Sequence, residues 1–193
     1  MLQVLLERSD RYTLAEQAQM AIEGGATWLV VRPRGLSDEV LREEARELTA
    51  MCRDNAIILT IEGHTELAAE LGLHGVLLLK GQAVPADIRA LFGAEAIIGA
   101  EVADAPEAIA LEKSDIDYAV ITQLHGAAPI IEAARKAGSL IPFVAMGDFT
   151  AEESAQLVMA GFDGICTGRL IFAADDPVAA VGEYLDRLAG KKA

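Results

Sequence analysis

Seven times along this chain an apolar run gives way to groups that can bind or move charge. Trp28 to Val31 leads to Arg32-Pro33-Arg34, the run ending at Ile61 to Glu62-Gly63-His64, and Gly75 to Leu79 to Lys80-Gly81-Gln82. Ala96 to Ala100 leads to Glu101, and Tyr118 to Ile121 to Thr122-Gln123 with His125 close by. Ile141 to Ala145 comes just before Gly147-Asp148, and Asp163 to Thr167 ends in Thr167-Gly168-Arg169. These residue types suit anion chemistry. The planar fork of Arg32 matches a phosphate or carboxylate, with Arg34 a weaker candidate because Pro33 bends the chain between them. Glu62 and Glu101, with Asp148, could offer carboxylates to a magnesium ion bound through water and substrate phosphates. Gly147, Asp148, Thr167 and Gly168 form a phosphate-binding candidate made of backbone N–H groups and one hydroxyl. Lys80 is a further cation, and a Schiff-base role would need a lowered pKa that nothing in the sequence supplies. His125 is the histidine placed for acid–base work, whereas His64 reads as a helix-cap residue and His74 precedes a strand.

Positioning these groups at one place requires a repeating scaffold. The apolar runs read as strands, starting with Leu2 to Leu6 and including Ala56 to Ile61, and helical periodicity separates them. Thr13 with Glu16 and Thr150 with Glu153 form capping boxes, and Asp104 followed by Pro106 opens a further helix. The sequence predicts helices over Pro85 to Phe92 and Pro129 to Ala137, and a last one from Asp176-Pro177 that buries Val178, Val181, Leu185 and Leu188. Eight strand–helix pairs in strict alternation, without linkers, predict a (β/α)8 TIM barrel, an α/β fold, as a single domain over residues 1–193. At 193 residues the chain is short against the typical barrel of about 250, so its loops must be minimal. Neither a G-x-G-x-x-G after the first strand nor a Walker A sequence is present, which argues against the nucleotide-binding α/β folds.

In a barrel of this kind the polar groups after the strands share one end, and that end is the expected site. A net charge of -14, from 30 acidic and 16 basic residues, argues against nucleic acid or an anionic membrane as partner. The same field repels phosphorylated metabolites, so an anion site must be locally positive. Cys52 and Cys166 lack metal-ligand spacing and read as buried thiols of a reducing compartment rather than a disulfide. No segment approaches the roughly 20 apolar residues of a membrane span, and the N-terminal run lacks a signal-peptide core. The expectation is a cytoplasmic protein acting on a small phosphorylated metabolite, with homo-oligomer formation left open.

Arg32 with a basic residue two positions on, AELGLHGVLLL, IIGAEV, AIALEKSDIDY, PFVAMG and AGFDGICTGRLIFAADDP together resemble the thiamine phosphate synthase and thiazole tautomerase superfamily over nearly the whole chain. The resemblance implies a (β/α)8 barrel that joins a hydroxymethylpyrimidine diphosphate to a thiazole phosphate with magnesium, releasing diphosphate, or a tautomerase that works without metal. It places Val30, Arg32 and Arg34 on a Gln-x-Arg-x-Lys motif and Glu62-Gly63 on an Asn-Asp pair that helps hold the metal. Leu77 to Lys80 fall on His-Leu-Gly-Gln, and Glu101 to Ala103 on Ser-x-His, so the tautomerase's histidine is Ala103 here. A long lid after the sixth strand is shortened to about TQLHGA, while Gly147 and Thr167-Gly168 keep the phosphate end. The resemblance thus implies catalytic roles for Arg32, Arg34, Glu62 and Lys80. Its departures imply weak or absent synthase activity, or a barrel that binds a phosphorylated thiamine intermediate without turning it over.

Overall fold

The computed structural model describes residues 1–82 and 86–190. Eight strands pair in parallel and in chain order, and the eighth closes onto the first. β1 (Leu2–Glu7), β2 (Trp28–Arg32), β3 (Ile58–Glu62) and β4 (Gly75–Leu78) alternate with α1 (Leu14–Glu23), α2 (Asp38–Asp54) and α3 (Thr65–Leu71). α4 (Ala86–Phe92), α5 (Ala105–Leu111), α6 (Ala127–Lys136) and α7 (Ala151–Met159) interleave with β5 (Ile97–Glu101), β6 (Tyr118–Ile121), β7 (Phe143–Met146) and β8 (Gly164–Thr167). The predicted TIM barrel is the observed fold. Both capping boxes form, with the Thr13 and Thr150 hydroxyls accepting the N–H of Glu16 and Glu153.

Where elements differ from expectation, backbone conformation is the cause. β3 begins at Ile58 rather than Ala56 because Ala56 has φ 56° and turns the chain out of α2. α6 starts two residues before Pro129, capped by Gly126 at φ 87°. A short helix that periodicity did not reveal, α8 (Arg169–Ala173), precedes α9 (Pro177–Leu188), which starts where Asp176 caps it. Pro85, read as the first residue of the fourth helix, lies outside the described residues.

Strand alternation divides the core. Val4, Leu6, Leu29, Val31, Leu59 and Ile61 pack outward against the helices, while Leu5, Val30, Leu77, Tyr118, Val120, Val144, Met146 and Cys166 fill the barrel. Tyr118 spans that interior by lying across Gly99, where a Cβ would sit 2.2 Å from its ring. Trp28 meets Tyr118 edge-on with centroids 5.3 Å apart and donates its indole N–H to Thr60 Oγ1 at 3.1 Å. The barrel floor is therefore closed by aromatic rings.

Two matching clasps tie the same, N-terminal face, away from the carboxyl ends of the strands. Arg89 donates to Ala94 O and Ala96 O and pairs with Asp117 at 2.9 Å, and Asp117 accepts the N–H of Ile98. Arg135 donates to Ser139 O and Ile141 O and pairs with Asp163 at 2.7 Å, and Asp163 accepts the N–H of Phe143. Each arginine gathers carbonyls that no strand ladder reaches, which is a stabilising role at the end of a barrel where stability residues belong.

Candidate active site

At the carboxyl end the inward-facing position of each strand is the last one or the next residue, so Glu7, Arg32, Glu62, Glu101, Thr122 and Gly168 ring one mouth. Register makes the central contact. Glu7 lies beside Arg32 on neighbouring strands, and Val31 opposite Ile61 brings Arg32 to Glu62. Arg32 Nε donates to both carboxylate oxygens of Glu62 at 3.1 and 2.9 Å, and Nη2 donates to Oε1 at 2.8 Å. Nη2 also meets Met146 Sδ at 3.1 Å, and Nη1 lies 3.5 Å from Glu7 Oε2. Glu62 is 5% exposed, so its carboxylate depends on this guanidinium for nearly all its compensation. Burial works against the Arg32 charge, but the hydrogen bonds and charge of Glu62, with Glu7 behind, hold its pKa above the ordinary value. Arg34 is exposed in the turn that follows and joins no ion pair among the described residues.

Glu101 stands on the far side of the mouth. Its Oε1 accepts the Thr122 hydroxyl at 2.8 Å and its Oε2 the backbone N–H of Lys80 at 3.3 Å. The Lys80 ammonium is turned to Glu107 at 3.4 Å. A depression of about 260 Å³ opens beside this group, lined by Leu79, Lys80, Glu101 and Val102 among others. Gln82 ties β4 to the preceding loop, accepting the N–H of Leu79 and donating to Gly63 O.

β7 and β8 are paired neighbours, so Gly147-Asp148 and Thr167-Gly168-Arg169 follow adjacent strands. Arg169 grips Asp148 Oδ2 through Nε at 2.8 Å and Nη2 at 2.7 Å. The Gly147 N–H donates to Cys166 O, and the fully buried Thr167 accepts the N–H of Phe149 on Oγ1 at 3.5 Å. A Cβ on Gly168 would sit 1.9 Å from Leu5 O, so only glycine allows β8 to run this close to β1. Cys166, directly below, is kept a neutral thiol by complete burial and then by the nearby charge of Glu62. His125 is exposed and His64 caps α3 without a side-chain hydrogen bond. His74 Nδ1 accepts the N–H of Leu59 on the N-terminal side.

The sequence profile described as Thiamine monophosphate synthase matches residues 2–171. The chain belongs to that family. It is 28% identical over 200 residues to the thiamine-phosphate synthase of Bacteroides thetaiotaomicron, covering 96% of each chain. Against the enzyme of that name from Nitrosospira multiformis it is 31% identical, covering 88% of this chain and 77% of the relative. A solved structure, thiamine phosphate pyrophosphorylase from Pyrococcus furiosus, superposes with a TM-score of 0.84 at 23% identity, covering 98% of this chain and 95% of that one. At that identity the superposition speaks for the fold alone.

Two residues of this thiamine phosphate synthase-like mouth escape the sequence reading. Glu7 lies one residue beyond the predicted first strand, Leu2 to Leu6. The alternation Gln3, Leu5, Glu7, carried one residue further, points it inward. Met146 carries no sequence signal, since a methionine in an apolar run reads as core. No helix among the described residues is long and apolar enough to cross a membrane.

Proposed function

We propose that this barrel joins a hydroxymethylpyrimidine diphosphate to a thiazole phosphate. The lone pair of the thiazole nitrogen forms a bond to the pyrimidine's methylene carbon. The carbon–oxygen bond to the diphosphate breaks, and its electron pair leaves with the diphosphate. The reading is carried by the family match over residues 2–171, and the mouth chemistry supports it. Arg32 Nη1, held among the described residues by Glu7 alone at 3.5 Å, is the nitrogen most readily given to a diphosphate oxygen, with Arg34 and Lys80 as outer cations. Glu62 keeps the Arg32 fork in place. Gly168, which faces the mouth, and Asp148 mark the thiazole-phosphate end, where Arg169 can exchange Asp148 for the phosphate, while the Gly147 N–H is taken by Cys166 O and Thr167 is buried on the helix side.

The family resemblance also implies magnesium, with Glu62 on the metal-holding pair, and residue type adds Glu101 as a second carboxylate. Both oxygens of Glu62 accept from Arg32, and no group of three His, Cys, Asp or Glu among the described residues converges on one point. Such an ion prefers near-octahedral oxygen coordination. The residues present therefore do not fit a magnesium held by the protein itself.

Because Glu62 neutralises Arg32 internally, the leaving diphosphate meets less positive charge than a free arginine would give, and loss of one donor typically costs about 10²-fold or more. Turnover below about 1 s⁻¹ is expected. Purified protein incubated with both substrates, with and without magnesium, tests this through thiamine phosphate formation. No product under any condition refutes the synthase reading, and turnover at or above that rate refutes the argument from Arg32.

A further inference from the structure

Among the described residues, Glu7, Glu62, Glu101 and Asp148 stand at the mouth, and three of these carboxylates are matched by cations. Glu7 and Glu62 share Arg32, and Asp148 holds Arg169. Glu101 is different. The Thr122 hydroxyl and the Lys80 backbone N–H orient its two oxygens, and both donors are neutral. The Lys80 ammonium is engaged by Glu107, and Glu101 joins no ion pair among the described residues. Neutral donors fix a carboxylate's direction without cancelling its charge, so Glu101 presents a preorganised negative charge to whatever fills the mouth.

We infer that Glu101 is a specificity-determining residue whose carboxylate is the counter-charge for an organic ring cation. A small divalent ion would need several more oxygens than this position supplies. A ring cation needs one, because its charge is spread over several atoms and is weakly hydrated. The inference rests on the synthase reading, which supplies the cation. Bonding the thiazole nitrogen to a methylene carbon turns a neutral ring nitrogen into a quaternary one, with no proton moved. The positive charge appears as the bond forms, and Glu101 favours that state over the neutral thiazole. The mouth therefore prefers the charged ring to a neutral ring of the same shape.

Calorimetry on the full chain without magnesium tests this with thiamine phosphate and its neutral thiophene isostere as probes. The unmodified protein should bind the cationic ring about tenfold tighter, an effect within reach of one partly desolvated charge pair. Glu101→Gln can still accept the Lys80 N–H on its amide oxygen and donate its amide N–H to the Thr122 hydroxyl, and it should erase that preference while leaving inorganic phosphate affinity unchanged. Thr122→Val keeps the charge, loses its orienting donor and should reduce the preference several-fold. Equal preference in the unmodified protein and Glu101→Gln overturns the role of Glu101 and leaves the synthase reading standing. Failure of the unmodified protein to bind either ring ligand overturns both. Magnesium alone binding the unmodified protein below about 1 mM, but not Glu101→Gln, overturns the inference by making Glu101 a metal ligand.

Discussion

Separating Arg32 from Glu62 should show how much of the barrel's stability sits in one ion pair. Arg32→Met removes the guanidinium and leaves Glu62, whose side chain is 6% exposed, as a carboxylate with neither water nor a cation beside it. Stranding a buried charge in this way costs about 3–5 kcal/mol. Glu62→Gln is milder. The Arg32 side chain is 21% exposed, can turn to Glu7 and to water, and keeps an amide oxygen to donate to, so about 1–3 kcal/mol is expected. The double variant Arg32→Met with Glu62→Gln strands no charge, and its cost should fall below the sum of the single ones by about 2 kcal/mol or more. For a chain of 193 residues, about 2–4 °C per kcal/mol turns the Arg32→Met loss into roughly 6–20 °C in Tm. Urea unfolding of all four proteins at neutral pH measures the cycle. Costs that add to within about 0.5 kcal/mol would refute the claim that Glu62 depends on Arg32.

Glu62→Gln should also free Arg32 and raise affinity for inorganic pyrophosphate about tenfold in calorimetry, and an unchanged affinity would show that the pair does not restrain the arginine. Gly168→Asp should abolish inorganic phosphate binding and lower Tm, because any Cβ there lies 1.9 Å from Leu5 O and the new charge repels the anion; phosphate affinity retained in a folded variant would remove the phosphate end from β8. Arg135→Ala should cost about 1–3 kcal/mol in urea unfolding, since it releases two carbonyls and Asp163 together, and should leave phosphate binding unchanged. Burial pushes the Cys52 thiol up from 9.0 to about 11, so the native state holds that proton more tightly than the unfolded chain. Its contribution to stability is full below pH about 9 and is lost as pH rises towards 11. Urea midpoints should therefore fall less steeply across that window in Cys52→Ala than in the unmodified protein.

What the sequence determined alone is whatever depends on neighbours within a few residues. The capping boxes at Thr13–Glu16 and Thr150–Glu153, the Asp176-Pro177 helix start and the alternation of apolar runs with helices are local, and together they required a closed βα repeat with its polar ends at one mouth. The short helix Arg169–Ala173 stayed hidden because five residues are too few to display a helical period. Pairing across the mouth was also out of reach. Arg32 read as an anion fork and Glu62 as a metal ligand, each on its own type. The β2–β3 register set them on each other, and a carboxylate 5% exposed then needed that guanidinium. Thr167 read as a free hydroxyl after a strand, yet strand alternation turned it to the helix side and left Gly168 facing the interior. Residue type sets what a side chain can do, but strand parity and register set what it meets, and those depend on how strands distant in sequence align in space.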